Sequence, residues 1–434
     1  MSNLITSPDS KRSEHWKIDR IVFLVQRPVA VFEGEKWGLE YLKSKGFAVV
    51  LIDLTLLLNG RRAPKVIEMV KEPLNWEPTH RVASFAEYEA LVKKYRGDSM
   101  FIDFVTGYSA VTLREEHMFR IFKRQNARYA IYASGVIDFS SSSNVNTGQK
   151  KIHFRARIAK TLSSPYNFIN YLASRLIVFL TRHRMVYPLP NLIFGGESEA
   201  LQRFVDERAV DKGIIVPKNS HDYDAALMVL RGFGNKLPKS EDICVFLDEG
   251  AAEHPDFYLA GVEPADAGRY YPPMNRLFDF IEKKLGLKIV IASHPRMNYD
   301  LLPDVFEGRE IVKDKTAELV ARSKLVLMHS SQSIGFAVLF KKPVVPVKVP
   351  GMPDSYHANL LAEVMGGAVG SKPVDLAKDE LTPSLLLREC NLEKYSEYEW
   401  RYLRSAGADG ELTTHEILAK TLLNWRENGP VVNT

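Results

Sequence analysis

The run Ile243-Cys244-Val245-Phe246-Leu247, closed by Asp248-Glu249-Gly250, decides how this chain is read. A short unbroken apolar run containing β-branched residues and followed by small or acidic ones reads as a strand buried on both faces of a parallel sheet. The pattern returns twice: Ile289-Val290-Ile291-Ala292 leads into His294-Pro295-Arg296, and Leu325-Val326-Leu327-Met328 leads into His329-Ser330-Ser331-Gln332-Ser333. In a doubly wound sheet, ligands bind just beyond the carboxyl ends of the strands. Three such ends gather carboxylates, imidazoles and hydroxyls at one crevice. That is a setting for a polar, anionic ligand.

Further strands are expected at Ile21–Val25, Val49–Ile52, Met100–Phe104, Tyr129–Tyr132 and Leu192–Phe194, with a helical pattern from about Glu35 to Lys45. Alternation of this kind predicts an α/β domain with a parallel sheet. The theme repeats from Ile243 to about Val347, with helices near Met274–Leu285 and Ala317–Ser323, and the end, roughly Leu392 to Asn424, reads as helical. Gly232 to Pro238 is turn-rich and reads as the linker. The domains are therefore expected to be 1–235 and 236–434, each Rossmann-like, a size that suits two cores.

Hydrophobic content of 45% and charged content of 26% are those of a globular protein. The two cysteines, Cys244 and Cys390, exclude a disulfide framework and a cysteine-rich metal site, and a cytoplasmic setting is expected. Met1 to Arg20 lacks the apolar segment of a signal peptide, and no run approaches the roughly 20 apolar residues that span a bilayer. The net charge of +5 is unevenly spread: no acidic residue lies between Asp138 and Glu197, a stretch that carries Lys150, Lys151, Arg155, Arg157, Arg182 and Arg184 among aromatic and aliphatic residues. Two readings fit that stretch: a solvated face of packed helices, or peripheral contact of residues 150–185 with an anionic membrane surface. No helix-turn-helix, finger or RNP-like pattern accompanies it, so nucleic acid is not expected as a partner.

At the strand ends, Asp248 and Glu249 suit acid–base or nucleophilic work, since neighbouring carboxylates hold different protonation states; a solvated turn is the plainer reading. Gly250 permits a left-handed backbone. His294 is suited to phosphate binding or to protonating a leaving group, and Arg296 adds a fork donor. Ser330, Ser331 and Ser333 before the helical run from Ile334 offer hydroxyls and free N–H groups to an anion, beyond what capping needs. Asp222-Tyr223-Asp224, next to Ser220, reads as the start of a helix in preference to a metal pair. Phe32-Glu33-Gly34 and Gly195-Gly196 are candidate ligand contacts from the first domain.

Two Rossmann-like domains facing across a cleft, with C-terminal helices, make the GT-B architecture, which serves transferases, epimerases and binding proteins alike. Within it, Phe246-Leu247-Asp248-Glu249 with His254-Pro255-Asp256, then Ile291-Ala292-Ser293-His294-Pro295-Arg296, then His329-Ser330-Ser331 through Lys342-Pro343 resemble the motifs of bacterial CMP-sugar-dependent transferases. These are sialyltransferases and, above all, the retaining β-Kdo transferases of O-antigen and capsule assembly. The resemblance covers roughly Ile243 to Val347.

The resemblance implies Asp248 as the catalytic carboxylate: nucleophile in a retaining Kdo transferase, general base in an inverting sialic-type one. Glu249 is the second candidate. It implies His294 at the phosphate or cytidine, and donor binding by Gly250, Pro295, Arg296, His329, Ser330, Ser331 and Ser333. No metal and no cofactor are expected beside the CMP-sugar, which domain 236–434 would bind, and the acceptor, expected on domain 1–235, would be a lipid-linked or oligosaccharide glycan. A UDP-sugar transferase or epimerase is the alternative on the same fold.

Overall fold

A computed structural model describes residues 17–70, 72–105, 113–132, 189–196, 199–208, 214–252, 263–297, 299, 302–352 and 358–429, together with Ile169, Leu172 and Leu176. The first half forms a seven-stranded sheet from β1 (Arg20–Val25), β2 (Ala48–Asp53), β3 (Thr79–Arg81), β4 (Ser99–Asp103), β5 (Tyr129–Tyr132), β6 (Leu192–Gly195) and β7 (Ile215–Pro217), in the spatial order β3-β2-β1-β4-β5-β6-β7. The second half forms a six-stranded sheet from β8 (Ile243–Leu247), β9 (Lys288–Ser293), β10 (Glu310–Lys313), β11 (Leu325–Met328), β12 (Val344–Lys348) and β13 (Val374–Asp375), in the order β10-β9-β8-β11-β12-β13. The strand pairings are parallel throughout. Each sheet starts at its centre, winds to one edge and returns to build the other side, which is the Rossmann order.

Each strand side feeds a different core. In β1, Val22 and Leu24 join one cluster of the first sheet while Ile21 and Phe23 join the other. In β8, Val245 and Leu247 face one way, and Cys244 and Phe246 the other. Burial of both faces explains the unbroken apolar runs, since each fully buried aliphatic or aromatic side chain contributes roughly 1.5–3 kcal/mol.

Several elements differ from the expectation. The helical stretch from Glu35 is two short helices, Val31–Lys36 and Leu39–Ser44, broken at Gly38, whose φ of +66° is left-handed and whose Cβ would sit 2.4 Å from the His415 ring. The helix expected near Met274 begins at Ala267, where Asp266 caps it by accepting from the Gly268 N–H at 3.0 Å. The helix His221–Gly232 precedes the turn read as the linker, yet its Ala226 lies in the core of the second sheet with Val245 and Val326. The chain thus passes between the sheets over Lys218–Ser220. The C-terminal stretch is interrupted too: Leu392–Tyr398 and a π turn pack on the second sheet, while Thr414–Asn428 returns to bury Leu418, Leu422 and Trp425 in the core of the first.

The carboxyl ends of both sheets line one cleft. Gln26 and Arg27 follow β1, Pro295 and Arg296 follow β9, Lys313 ends β10, and all five border the same cavity. Two Rossmann sheets meeting in this way form the GT-B fold.

Candidate functional site

β8 is central in the second sheet, flanked by β9 and β11. The strand order reverses between β8 and β11, the point at which doubly wound sheets open a crevice. Asp248, first residue past β8, is 4% exposed. Its N–H donates to the Ala292 carbonyl at 3.1 Å, fixing it beside the end of β9. Its carboxylate accepts from the Gly250 N–H at 3.0 Å and from the Tyr299 hydroxyl at 2.5 Å. Burial pushes the Asp248 carboxyl up to about 6, against the pull of those same hydrogen bonds, and burial beside Asp248 raises Tyr299 so that it stays a donor. A buried, oriented carboxylate that still ionises at neutral pH suits a nucleophile or a general base.

Glu249 crosses the switch point. Its carboxylate accepts from both the N–H and the hydroxyl of Ser330, the latter at 2.6 Å. The start of the turn after β11 therefore already holds one anionic group. Ser333 follows as the N-cap of the helix Ile334–Leu339, and its hydroxyl forms no capping bond. Ser331 lies between them with its carbonyl accepting from Ile334 N–H at 3.2 Å.

His294 is the first residue after β9, so Asp248, Glu249, His294 and Ser330 come from three adjacent strands. The His294 Nδ1 accepts from the Arg296 N–H at 3.2 Å, which places the neutral ring's proton on Nε2 and makes that atom a donor. The turn continues to Met297, whose sulfur would be 2.4 Å from a Cβ on Gly250. With φ of +63° as well, Gly250 is required for two independent reasons. Tyr299 thus touches Asp248, while Pro295 and Arg296 border the interdomain cleft.

His329, expected at the donor, is a buried strut instead. It is 1% exposed, its Nδ1 donates to the Val347 carbonyl at 2.9 Å, and its Nε2 accepts from the Tyr270 hydroxyl at 2.8 Å. Burial lowers its pKa to about 4, so it is neutral at pH 7 with both nitrogens engaged. Nothing remains for a ligand. Ser220 caps His221–Gly232 by accepting from Tyr223 N–H at 3.2 Å, so Asp222 and Asp224 occupy a helical first turn. Asp222 nevertheless reaches the site region: its Oδ2 would be 2.6 Å from a Cβ on Gly335, in the helix after the serines.

In the first domain, Phe32 borders the cleft, Glu33 turns inward to pair with Arg27, and Gly34 is pressed against Leu74. Gly196 packs against Ser405 of the returning chain, 2.6 Å from where its Cβ would be. Gly195 ends β6. His254-Pro255-Asp256 lies outside the described residues, as does the 150–185 stretch apart from Ile169, Leu172 and Leu176. Tyr299 goes unread in the sequence, because it does not sit beside an apolar strand, and Asp222 reads there only as the start of a helix or half of a metal pair.

No family model matches the sequence, and no curated protein matches it. Solved structures do. The wall teichoic acid polymerase TagF, in a variant soaked with CDPG, aligns over 96% of this chain and 91% of its own at 12% identity, with a TM-score of 0.49. UDP-GlcNAc 2-epimerase from Methanocaldococcus jannaschii, with UDP-GlcNAc and UDP, aligns over 93% of this chain and 99% of its own at 14% identity and a TM-score of 0.42. The Neisseria meningitidis epimerase bound to UDP-GlcNAc aligns over 93% and 98% at 11% identity and 0.43. The GT-B assignment itself rests on the two strand orders and on the cleft between their carboxyl ends.

Proposed function

We propose that this chain is a glycosyltransferase that moves a 2-keto acidic sugar, of the Kdo type, from CMP to a bacterial surface-glycan acceptor. The observation that carries the reading is the Asp248 carboxylate, buried at the end of the central strand and oriented by Tyr299 and Gly250. In the retaining course, an Asp248 oxygen attacks the anomeric carbon while the bond to the phosphate oxygen breaks and CMP leaves with its electron pair. The acceptor hydroxyl then displaces Asp248, giving up its proton and freeing the carboxylate. In the inverting alternative, Asp248 takes that proton as the hydroxyl attacks the sugar directly. Glu249 is the weaker candidate for either role, because Ser330 already occupies its carboxylate.

Ser330 supports a phosphate site by holding an anion with both its N–H and its hydroxyl. Ser331 and Ser333 are its proposed helpers, the His294 Nε2 the donor toward the leaving phosphate, and Arg296 the partner of the sugar's own carboxylate. Gly250 and Pro295 shape the backbone around them. No metal or further cofactor enters this scheme. Among the described residues no helix is long and apolar enough to cross a membrane. Peripheral contact through 150–185 is part of the proposal; Ile169, Leu172 and Leu176 in that stretch are 56%, 50% and 58% exposed. Equal binding to anionic and neutral liposomes would remove that part.

The decisive test is intact-protein mass spectrometry of Asp248→Cys incubated with CMP-Kdo made in situ, beside wild type. A gain of one Kdo mapped to position 248 establishes donor, nucleophile and retention together. No adduct while wild type consumes the donor assigns Asp248 as a base. No consumption at all, with thermal stabilisation by UDP and none by CMP, replaces the reading with the UDP-sugar alternative.

A further inference from the structure

Among the described residues, the interdomain cleft encloses a cavity of about 430 Å³. Its second-sheet wall is made by Pro295, Arg296 and Lys313. Its first-sheet wall is made by Gln26 and Arg27 after β1, Phe32, and the helical segment that carries Asn59 and Arg62. Four cations, Arg27, Arg62, Arg296 and Lys313, line the cleft against one carboxylate, Glu72.

Two of these cations are fixed by the protein. Arg27 makes a two-pronged pair with Glu33, which is itself held by the Ala30 N–H at 3.0 Å and is 7% exposed. Lys313 reaches across the cleft to Glu72 at 2.9 Å. Even with Glu33 counted, cations outnumber carboxylates four to two. Arg62 is exposed and has no hydrogen-bond or ion-pair partner among the described residues. A cleft whose walls carry an excess of one sign of charge concentrates the opposite sign. The same wall carries the Phe32 ring and the apolar Val66 and Met69, so it offers a sugar's C–H face something to pack on.

We infer that the first-sheet wall of this cleft is a subsite for an anionic acceptor, a glycan bearing a phosphate or carboxylate group, with Arg62 as its direct contact and Arg27 as a fixed background charge. This rests on the transferase reading: the donor's anions are placed at Ser330 and His294 on the second sheet, which leaves the wall opposite for the acceptor. Arg296 borders the cleft and Tyr299, three residues on, reaches Asp248. An anion seated at Arg62 holds the acceptor on the side of the cleft from which its hydroxyl approaches.

The test is isothermal titration of wild type, Arg62→Lys and Arg62→Glu with glucose 6-phosphate, glucuronate and glucose, with and without saturating CMP. Glucose 6-phosphate, glucuronate or both bind wild type more tightly than glucose, and the stronger of the two names the anion as phosphate or carboxylate. That binding weakens with added salt. Arg62→Glu raises its Kd about tenfold, the scale of one charge-assisted contact reversed, while Arg62→Lys keeps most of it. Saturating CMP leaves the anion bound. Equal binding in wild type and Arg62→Glu, no preference of either anion over glucose, or one-for-one displacement by CMP overturns the subsite. Failure of CMP itself to bind overturns the donor reading alone, because the Arg62 comparison still decides the acceptor wall.

Discussion

The carboxylate of Glu249 grips both the amide and the hydroxyl of Ser330, bridging the end of β8 to the end of β11 across the switch point of the second sheet. An internal anion therefore sits where a nucleotide phosphate is expected. If the proposed donor placement holds, this carboxylate yields when the phosphate binds, and its displacement uncovers a preformed pair of donors. Glu249→Gln removes the competing charge and leaves the donors, so CMP binding tightens, by about fivefold if the relieved charge contact is screened nearly as in water and amounts to about 1 kcal/mol. Ser330→Ala loses the hydroxyl and weakens CMP by a similar factor. Titration calorimetry of both variants checks this; weaker CMP binding in Glu249→Gln would make Glu249 a ligand contact instead of a placeholder.

Asp248 sets a pH dependence with a defined sign. Its folded-state pKa is raised to about 6 from 3.8 by burial, so the folded form binds the proton more tightly than the unfolded chain. Stability then falls as pH rises from about 4 through about 6 and is level above, a loss of about 3 kcal/mol for about two pKa units. Asp248→Asn escapes that loss. Denaturant unfolding at a series of pH values is expected to show the variant gaining on wild type between pH 4 and 7 while its transferase activity is abolished. A constant difference across that range would show that Asp248 is not the group titrating.

Activity follows the same group. The ionised carboxylate is the reactive form in both courses, so kcat/KM rises with pH through about 6. Tyr299 holds that pKa down by donating to Asp248. Tyr299→Phe is therefore expected to move the acid limb upward by about half to one unit and to lower the plateau, as loss of an orienting hydrogen bond does. An unmoved limb would assign it to another group.

Gly250 couples the two halves of the site. Its left-handed φ costs a residue with a Cβ about 1–2 kcal/mol, and the Met297 sulfur stands 2.4 Å from that Cβ. Gly250→Ala is expected to lower stability by about 2 kcal/mol and to displace the His294–Tyr299 segment, reducing activity more than CMP binding. Adding Met297→Ala relieves the clash and leaves the backbone strain, so the double variant recovers part of the loss. A double variant no better than the single one would rule out the contact as the cause.

The central strands of both sheets were legible because burial on two faces demands continuous apolar runs, and Ile243–Leu247 and Leu325–Met328 fall where the sequence places them. The edge strands β3, β10 and β13 were not, since Thr79-His80-Arg81, Glu310–Lys313 and Val374–Asp375 cover one side or none and carry polar residues. His294 and His329 look alike in sequence, each closing an apolar strand. Only packing by Tyr270 and the Val347 carbonyl, 59 and 18 residues away, separates a strut from a site residue. Tyr299 is 51 residues from Asp248 and lies in no periodic segment, so nothing local announces it.

The crossing of the C-terminal helix is the last relationship open to test. Thr414–Asn428 is sequentially part of the second half, yet Leu418, Leu422 and Trp425 recur on one helical face and are buried with Ile21, Phe23 and Leu42 of the first. Gly38 makes room for it, since a Cβ there would meet His415. Trp425→Ala empties a large volume from that core and is expected to cost about 3–5 kcal/mol. The loss should fall on the first sheet. In calorimetric scans with CMP bound to the second sheet, the variant is expected to show an early transition that CMP does not raise, followed by one that it does. A single transition, raised by CMP as in wild type, would mean that the helix stabilises both sheets as one cooperative unit and that the cleft between them does not open on its own.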